Sequence, residues 1–447
     1  MSLSHGPARH TIYGQTRILD VELVQLSVAS RPTRIAAAMT RDPLSKLRQP
    51  ALALALAALL GACGDAGADS AATVAVRDSA GIRIVESSAP VWAEGEGWRL
   101  SDAPLLEIGM AEGPVAYLLD GVRGALRLDD GRIVVANGGS SELRFYGADG
   151  AHLQSVGRQG DGPSEYRAIS WLSEYPGDSL MVFDFQARRA SILALDGSYG
   201  RGISFAASGD GGIPSPQAVF ADGTILGRRA VAFTAGEVTT GMRKADASYS
   251  RYSDVDGSVI DSLVTLPDQE RYVLAEENMM MVMSPLLAPR LYQAVAGDSV
   301  FIGHSATLNV GVYGADGTLR RLVRRTGDPV PISPAEIATL MDEQLGSVED
   351  DAVRTRMTRI HETLPKPEFR PAFSALAADD AGNLWVRATV IPGEPNVWTV
   401  FDTDGRLLGP VPFPDDFRPL HIGEDFMLGV VADELGVERV RMYGVSR

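Results

Sequence analysis

Short runs of alternating or β-branched apolar residues recur along most of the 447-residue chain, punctuated by Asp-Gly pairs. The pairs are Asp130-Gly131, Asp149-Gly150, Asp196-Gly197, Asp222-Gly223, Asp256-Gly257, Asp316-Gly317 and Asp404-Gly405. Period-two alternation bounded by Asp-Gly predicts hairpins, because the tight turns that join twisted strands need positive φ. The runs group into units of one order. A leading strand near 122–128 precedes strands at 131–137, 142–147 and 151–157. The same order returns at 177–205, 222–266, 297–325 and 382–413. The final stretch, 426–431 and 437–445, lacks a last strand, while 81–86 and 104–109 read as strands without a unit. A ring resolves both remainders if the strand at 82–85 pairs with 439–445. The predicted fold is therefore all-β, a six-bladed β-propeller over residues 75–447 closed by an N-terminal strand. Closure of this kind hides sheet edges that would template aggregation.

One segment breaks the strand pattern. Between units four and five, 332–364 carries the spacing of a helical hairpin. Ser333-Pro334-Ala335-Glu336 supplies an N-cap, a first-turn proline and a capping-box glutamate. Ile337, Leu340, Met341 and Leu345 share one face, and Gly346 stops the helix. Ser347 with Asp350 opens a second helix with Val353, Met357 and Ile360 in its apolar stripe, ended by Pro365 and Pro367. The hairpin is expected to cover one rim of the propeller.

The N-terminal part reads differently. Residues 1–38 have no pattern of their own and are expected to be an unstructured, over-extended start. Residues 39–62 form a signal: Arg41, Lys46 and Arg48 precede the apolar run 51–62, too short to span a bilayer at ~20 residues. Leu60-Gly61-Ala62-Cys63 resembles a bacterial lipobox, which implies cleavage and acylation at Cys63. Residues 63–74 then form a flexible tether. Stable anchoring takes more than one acyl chain, which a diacylglyceryl thioether plus an N-acyl group supplies. Gly64 in place of aspartate implies an outer-membrane address, facing the periplasm or the cell surface.

Of 41 basic and 57 acidic residues, 7 and 3 precede Cys63, leaving 34 against 54. Such an acidic body argues against a nucleic-acid partner. Cys63 is the only cysteine, so neither a disulfide framework nor a thiolate metal site is available.

The chain resembles the NHL-like and TolB-like six-bladed propellers, bacterial lipoproteins among them. The resemblance rests on Asp130-Gly131, Phe145-Tyr146, Asp149-Gly150 and the run Gly160-Asp161-Gly162-Pro163-Ser164-Glu165-Tyr166, with a fainter echo at 112–117. It covers roughly 75–447 and specifies fold better than activity.

No catalytic motif stands above background. Gly157–Ser164 has Walker-like glycine spacing, but Pro163 replaces the lysine. Asp254-Val255-Asp256-Gly257 and Asp402-Thr403-Asp404-Gly405 lack the distal glutamate of a calcium loop and read as turns. Met279, Met280, Met281 and Met283 read as soft core packing. What remains is positional. Leading strands carry Arg123, Ser170, Gln217, Arg290, Tyr292, Ser374 and His421; second strands end at Asn137, Asp184, Arg229, His304 and Arg387. A ring of such groups at a channel mouth suits a polar ligand. Arg158, Asp161, Glu165 and Arg167 surround the 160–166 turn, either clamping an anion or locking neighbouring sheets. The expectation is a membrane-tethered binding module without catalysis or cofactor, partnered by an envelope protein or small ligand. The alternative is a lactonase- or lyase-type enzyme holding a divalent cation through carboxylates at the mouth.

Overall fold

A computed structural model describes residues 21–24, 73–206, 212–230, 239–276, 279–346, 348 and 350–447. The lipobox and Cys63 lie outside the described residues. All seven Asp-Gly glycines take φ between 70° and 87°, as the hairpin reading requires. Six sheets follow one another along the chain. Sheet one runs Val122–Arg127, Ile133–Asn137, Glu142–Tyr146, His152–Val156, and sheet two Ile169–Tyr175, Ser179–Asp184, Arg189–Ala194, Tyr199–Ser204. Sheet three opens with Ser215–Val219 and Ile225–Ala230, sheet four with Leu291–Ala296 and Ser299–His304. Sheet five runs Ala375–Ala378, Leu384–Arg387, Val397–Phe401, Leu407–Pro412; sheet six runs Arg418–Ile422, Phe426–Ala432, Glu438–Ser446.

Each sheet buries its apolar face against the next. Tyr146 and Val135 of sheet one meet Leu428 and Val440 of sheet six, and Phe145 meets Val182 of sheet two. Phe183 packs on Tyr252, Tyr249 on Ile302, Val323 on Phe401, and Trp398 on Met427 around the remaining junctions. The last sheet thus packs on the first, a propeller-like arrangement in which every sheet depends on two neighbours.

The closing strand is not the expected one. Residues 82–85 belong to Ile82–Ser87, which lies parallel to Leu319–Arg325 on the outer edge of sheet four, pairing Val85 with Val323. Val74–Ser79 adds outside it. Sheet six is completed instead by Leu106–Ile108, antiparallel to Glu438–Ser446, with Ile108 opposite Val440. Between these strands the chain crosses sheet five: Val91 and Trp92 donate to the carbonyls of Leu407 and Leu408, and Trp92 and Trp98 pack on its aromatic cluster. One N-terminal segment therefore covers the outer edges of sheets four, five and six in turn, and the later strand is the one that reaches sheet six.

Two features rise on the side where second strands end. Gly241–Tyr252 and Val259–Glu276 outrun Ile225–Ala230, whose last residue pairs with Ala247, so an overhang extends from sheet three. Met279–Met283 pairs along it, and Val21–Val24 forms its edge strand. The helical hairpin lies between sheets four and five, as α1 (Pro334–Gly346) and α2 (Asp351–Thr363). The Ser333 hydroxyl accepts from the Glu336 amide at 3.3 Å and Glu336 Oε2 from the Ser333 amide at 2.6 Å, while Asp350 caps α2. Burial in α2 begins at Met357, one turn after the exposed Val353, where the helix meets Met281 and Met283 of the overhang. Leu340 of α1 packs with Leu286 and with Ile391, in the loop between the second and third strands of sheet five. Arg370 ties the start of α1 to sheet five through Glu336 and, at 2.7 Å, Glu394. No helix among the described residues is long and apolar enough to cross a membrane.

Ile108 is 1% exposed in the sheet six–sheet one cluster, whereas Val76 on the outermost strand of sheet four is 48% exposed. Ile108→Ala is expected to lower stability by about 2–4 kcal/mol in urea unfolding, and Val76→Ala by under about 0.5 kcal/mol.

Candidate active site

Four of the six leading strands carry a bulge near their first residues: between Val122 and Gly124, Ile169 and Trp171, Pro216 and Ala218, and Pro419 and His421. A bulge frees one residue from the ladder and re-aims its side chain, a device common beside active sites. The freed residues are Arg123, Ser170, Gln217 and Leu420. Arg290 and Tyr292 at sheet four, Arg387 of sheet five and Arg418 of sheet six stand at the corresponding end of their leading strands.

Two arginine clusters stand here. In the first, the Arg418 guanidinium is desolvated and donates to the Val122 carbonyl at 3.1 Å. Burial lowers its pKa; Glu438 opposes that shift and the nearby Arg123 adds to it. Glu438 Oε2 accepts from the Val122 amide at 2.6 Å. Burial raises the Glu438 pKa, Asp120 pushing the same way and Arg418 and Arg123 opposing. In the second cluster, Arg387 Nε donates to Asn396 Oδ1 at 3.1 Å, and the Asn396 amide is held by the carbonyls of Pro414 and Phe417. Burial lowers the Arg387 pKa against the pull of Asp416 and Tyr292. Arg290 donates through Nε to the Tyr292 hydroxyl at 3.0 Å, its guanidinium 5.0 Å from the ring centroid. Gln293 joins Gln217 at 2.5 Å and accepts from Tyr249, completing a polar arc across sheets three and four.

The opposite mouth has another chemistry. His421 Nδ1 accepts from the Arg127 amide at 3.2 Å, which leaves the ring proton on Nε2, 3.2 Å from Asp380 Oδ2. Glu174 opens to solvent beside His421 and Asp380. Desolvation raises its pKa, His421 opposes the shift, and Asp380 and Asp129 reinforce it.

The other residues singled out in the sequence fall elsewhere. Asn137 and Asp184 are 1% exposed and tie backbone: Asn137 accepts from the Asp120 amide, Asp184 from those of Arg167, Ala168 and Ala187. Arg158 pairs with Glu165 and Arg167 with Asp161, while Glu165 also accepts from the Gly162 amide. Tyr166 beside them is buried in the sheet one–sheet two cluster. Ser374 donates to the Ala388 carbonyl. His304 Nε2 lies 3.1 Å from the Asp268 carbonyl, at a lateral cleft rather than the channel. Sequence reasoning missed Arg418, Glu438 and Asn396. Arg418 begins the sixth leading strand as Arg123 and Arg290 begin theirs, and that equivalence was the available signal.

The arginine-lined mouth does not fit a divalent cation. Guanidinium groups outnumber the carboxylates there, and among the described residues no three His, Cys, Asp or Glu side chains gather to hold a metal.

No protein-family model matches the chain, and no curated protein matches it in sequence. Several solved structures align with most of its length at low identity. A putative exported protein from Bacteroides fragilis is 12% identical, with 81% of this chain and 99% of that one covered and a TM-score of 0.47. A gluconolactonase from Xanthomonas campestris is 14% identical over 80% and 100%, TM-score 0.41. The virginiamycin B lyase of Staphylococcus aureus is 8% identical over 78% and 100%, TM-score 0.38. Two of these three bear enzyme names, against the expectation of a binding module without catalysis.

A carboxyl whose folded pKa is raised favours the protonated native state, so its contribution fades as pH rises from the unfolded value through the folded one. Glu438→Gln, neutral throughout, is expected to lack this loss. Its stability relative to the parent, measured by urea unfolding at pH 4 and pH 7, should therefore increase with pH.

Proposed function

We propose that the chain is an exported enzyme, lipid-anchored at Cys63 and built as a closed six-bladed ring, that hydrolyses a lactone or similar cyclic ester at the arginine-lined mouth. The observation that carries the reading is the pairing at Val122, whose amide donates to Glu438 at 2.6 Å while its carbonyl accepts from the Arg418 guanidinium at 3.1 Å; burial raises the Glu438 pKa there. A raised pKa makes its ionised form a stronger base at neutral pH. It takes a proton from water as the water oxygen attacks the substrate carbonyl. The guanidinium groups balance the negative charge that develops on the carbonyl oxygen, which is worth most in a desolvated site. The ring C–O bond then breaks, Glu438 returns the proton to the departing alkoxide, and a hydroxy-carboxylate remains. Arg387 and Arg290 supply further cations for a carboxylate product. Support for an NHL-like or TolB-like origin remains the turn motif of 160–166 and the Asp-Gly hairpins.

The test is turnover of a panel of γ- and δ-lactones of varied side chain by the purified protein, followed as acid release. Glu438→Gln should lower kcat/KM by about 10²–10⁴-fold, and Arg418→Met should lower it while leaving the fold intact. Absence of any lactone turnover, or full activity in Glu438→Gln, overturns the reading.

A further inference from the structure

A cleft of about 760 Å³ opens between sheets three and four, and none of its lining residues belongs to the arginine mouth. Its floor is Leu291, Ile302 and Leu322 of sheet four. The Tyr313 ring lies over Gly311 of the same sheet, where a Cβ would stand 2.7 Å from it. The overhang of sheet three supplies one wall with Lys244, Leu266 and Glu270, the segment 365–371 a second with Lys366 and Glu368, and the loop 285–289 a third.

Three observations define what the cleft accepts. The first is charge. Lys244 and Glu270 stand directly opposite each other in strand register, yet neither side chain makes an ion pair or hydrogen bond among the described residues, and the Glu368 side chain is likewise free. Lys366 is committed, its ammonium donating to the His361 carbonyl at 3.2 Å. The second is donor balance. Pro267, Pro285, Pro289, Pro365, Pro367 and Pro371 line the walls, and each brings a carbonyl but no N–H. The Tyr313 hydroxyl also has no hydrogen-bond partner among the described residues, and burial alone raises its pKa. The third is Leu287, which takes φ 51° at the third position of a turn closed by the Ala288 amide on the Pro285 carbonyl at 3.0 Å. Glycine is favoured at such a place. A leucine there carries a backbone cost, offset by its side chain as the wall between the α1 seat and the cleft.

A purely apolar ligand would leave these charges and carbonyls without partners, and a simple anion would leave the floor and Glu368 unused. A peptide answers all of them: its N–H groups suit the surplus carbonyls, its side chains the floor, and its two ends the free charges. Both ends cannot sit at Lys244 and Glu270, since a cross-strand pair is about 5 Å apart and an extended tripeptide spans about 10 Å. We infer that the cleft is a second binding site, for a short apolar peptide with free ends, which lies from one wall to the other with its carboxylate at Lys244 and its ammonium at Glu368. The volume is that of a site for a small organic ligand. This site does not depend on the hydrolase reading.

Calorimetric titration of the full-length protein with trileucine is expected to show saturable binding, and triglycine should bind at least about tenfold more weakly for want of apolar burial. Lys244→Gln should weaken trileucine by about two- to fivefold and leave trileucine amide, which lacks the carboxylate, unchanged. Glu368→Gln should weaken trileucine by a similar factor and leave N-acetyl-trileucine, which lacks the ammonium, unchanged. Both replaced side chains are exposed, so neither variant disturbs a packed interior. Arg418→Met, at the mouth, should leave trileucine affinity as it is. Absence of trileucine binding, equal affinity for triglycine, or a loss in Lys244→Gln that is the same for trileucine and its amide overturns the site. A loss of trileucine affinity in Arg418→Met assigns the peptide to the mouth and overturns it as well.

Discussion

The architecture depends on three residues, 106–108, finding their partners at 440–442. A sheet in this arrangement has no core of its own; each buries its apolar face only because another stands beside it. Sheet six offers three strands from the C-terminal end and receives its fourth from a point more than three hundred residues earlier. Ile108 then joins Val440 and Leu428 against Val122, Val135 and Tyr146, so the same pairing fixes sheet one. Its hydrogen bonds are few, and their value lies in making the apolar burial at this junction possible.

On that frame the mouth gathers positive charge in an acidic protein. Arg418 and Arg387 are desolvated enough that burial lowers their pKa, a cost that structural ion pairs alone do not require. Asn396 and the Val122 carbonyl hold the two guanidinium groups in place, so the cations are fixed before any anion arrives. Preorganised charge of this kind stabilises a developing oxyanion without reorganisation. The far end, with Glu174, Asp380 and His421, has the opposite character.

The repeated sheets and the helical hairpin were legible because both have local causes: Asp-Gly turns at positive φ, and a reciprocal cap between Ser333 and Glu336. The closing strand was not. Both 82–85 and 106–108 are short apolar runs, and edge pairing is made by backbone atoms that any such run supplies. The overhang was hidden by Pro267, which reads as a strand end but sits at an irregularity between Lys244 and Asp246 of its partner. Strand-end positions were equivalent in sequence yet diverged by side-chain length. At Asn137 and Asp184 a short group turns back to nearby amides, whereas at Arg387 a long one reaches the mouth. Glu438 and Arg418 meet only after folding, so no spacing announced the pair.

The N-terminal girdle has a consequence for biogenesis. During synthesis 106–108 is made early, but its docking site at 440–442 is made last, so sheet six stays incomplete until nearly the whole polypeptide has been made. Non-local closure of this kind folds slowly and leaves bare strand edges meanwhile. A nascent chain halted before Glu438 would carry those edges exposed, offering proteases a substrate that the finished fold denies them.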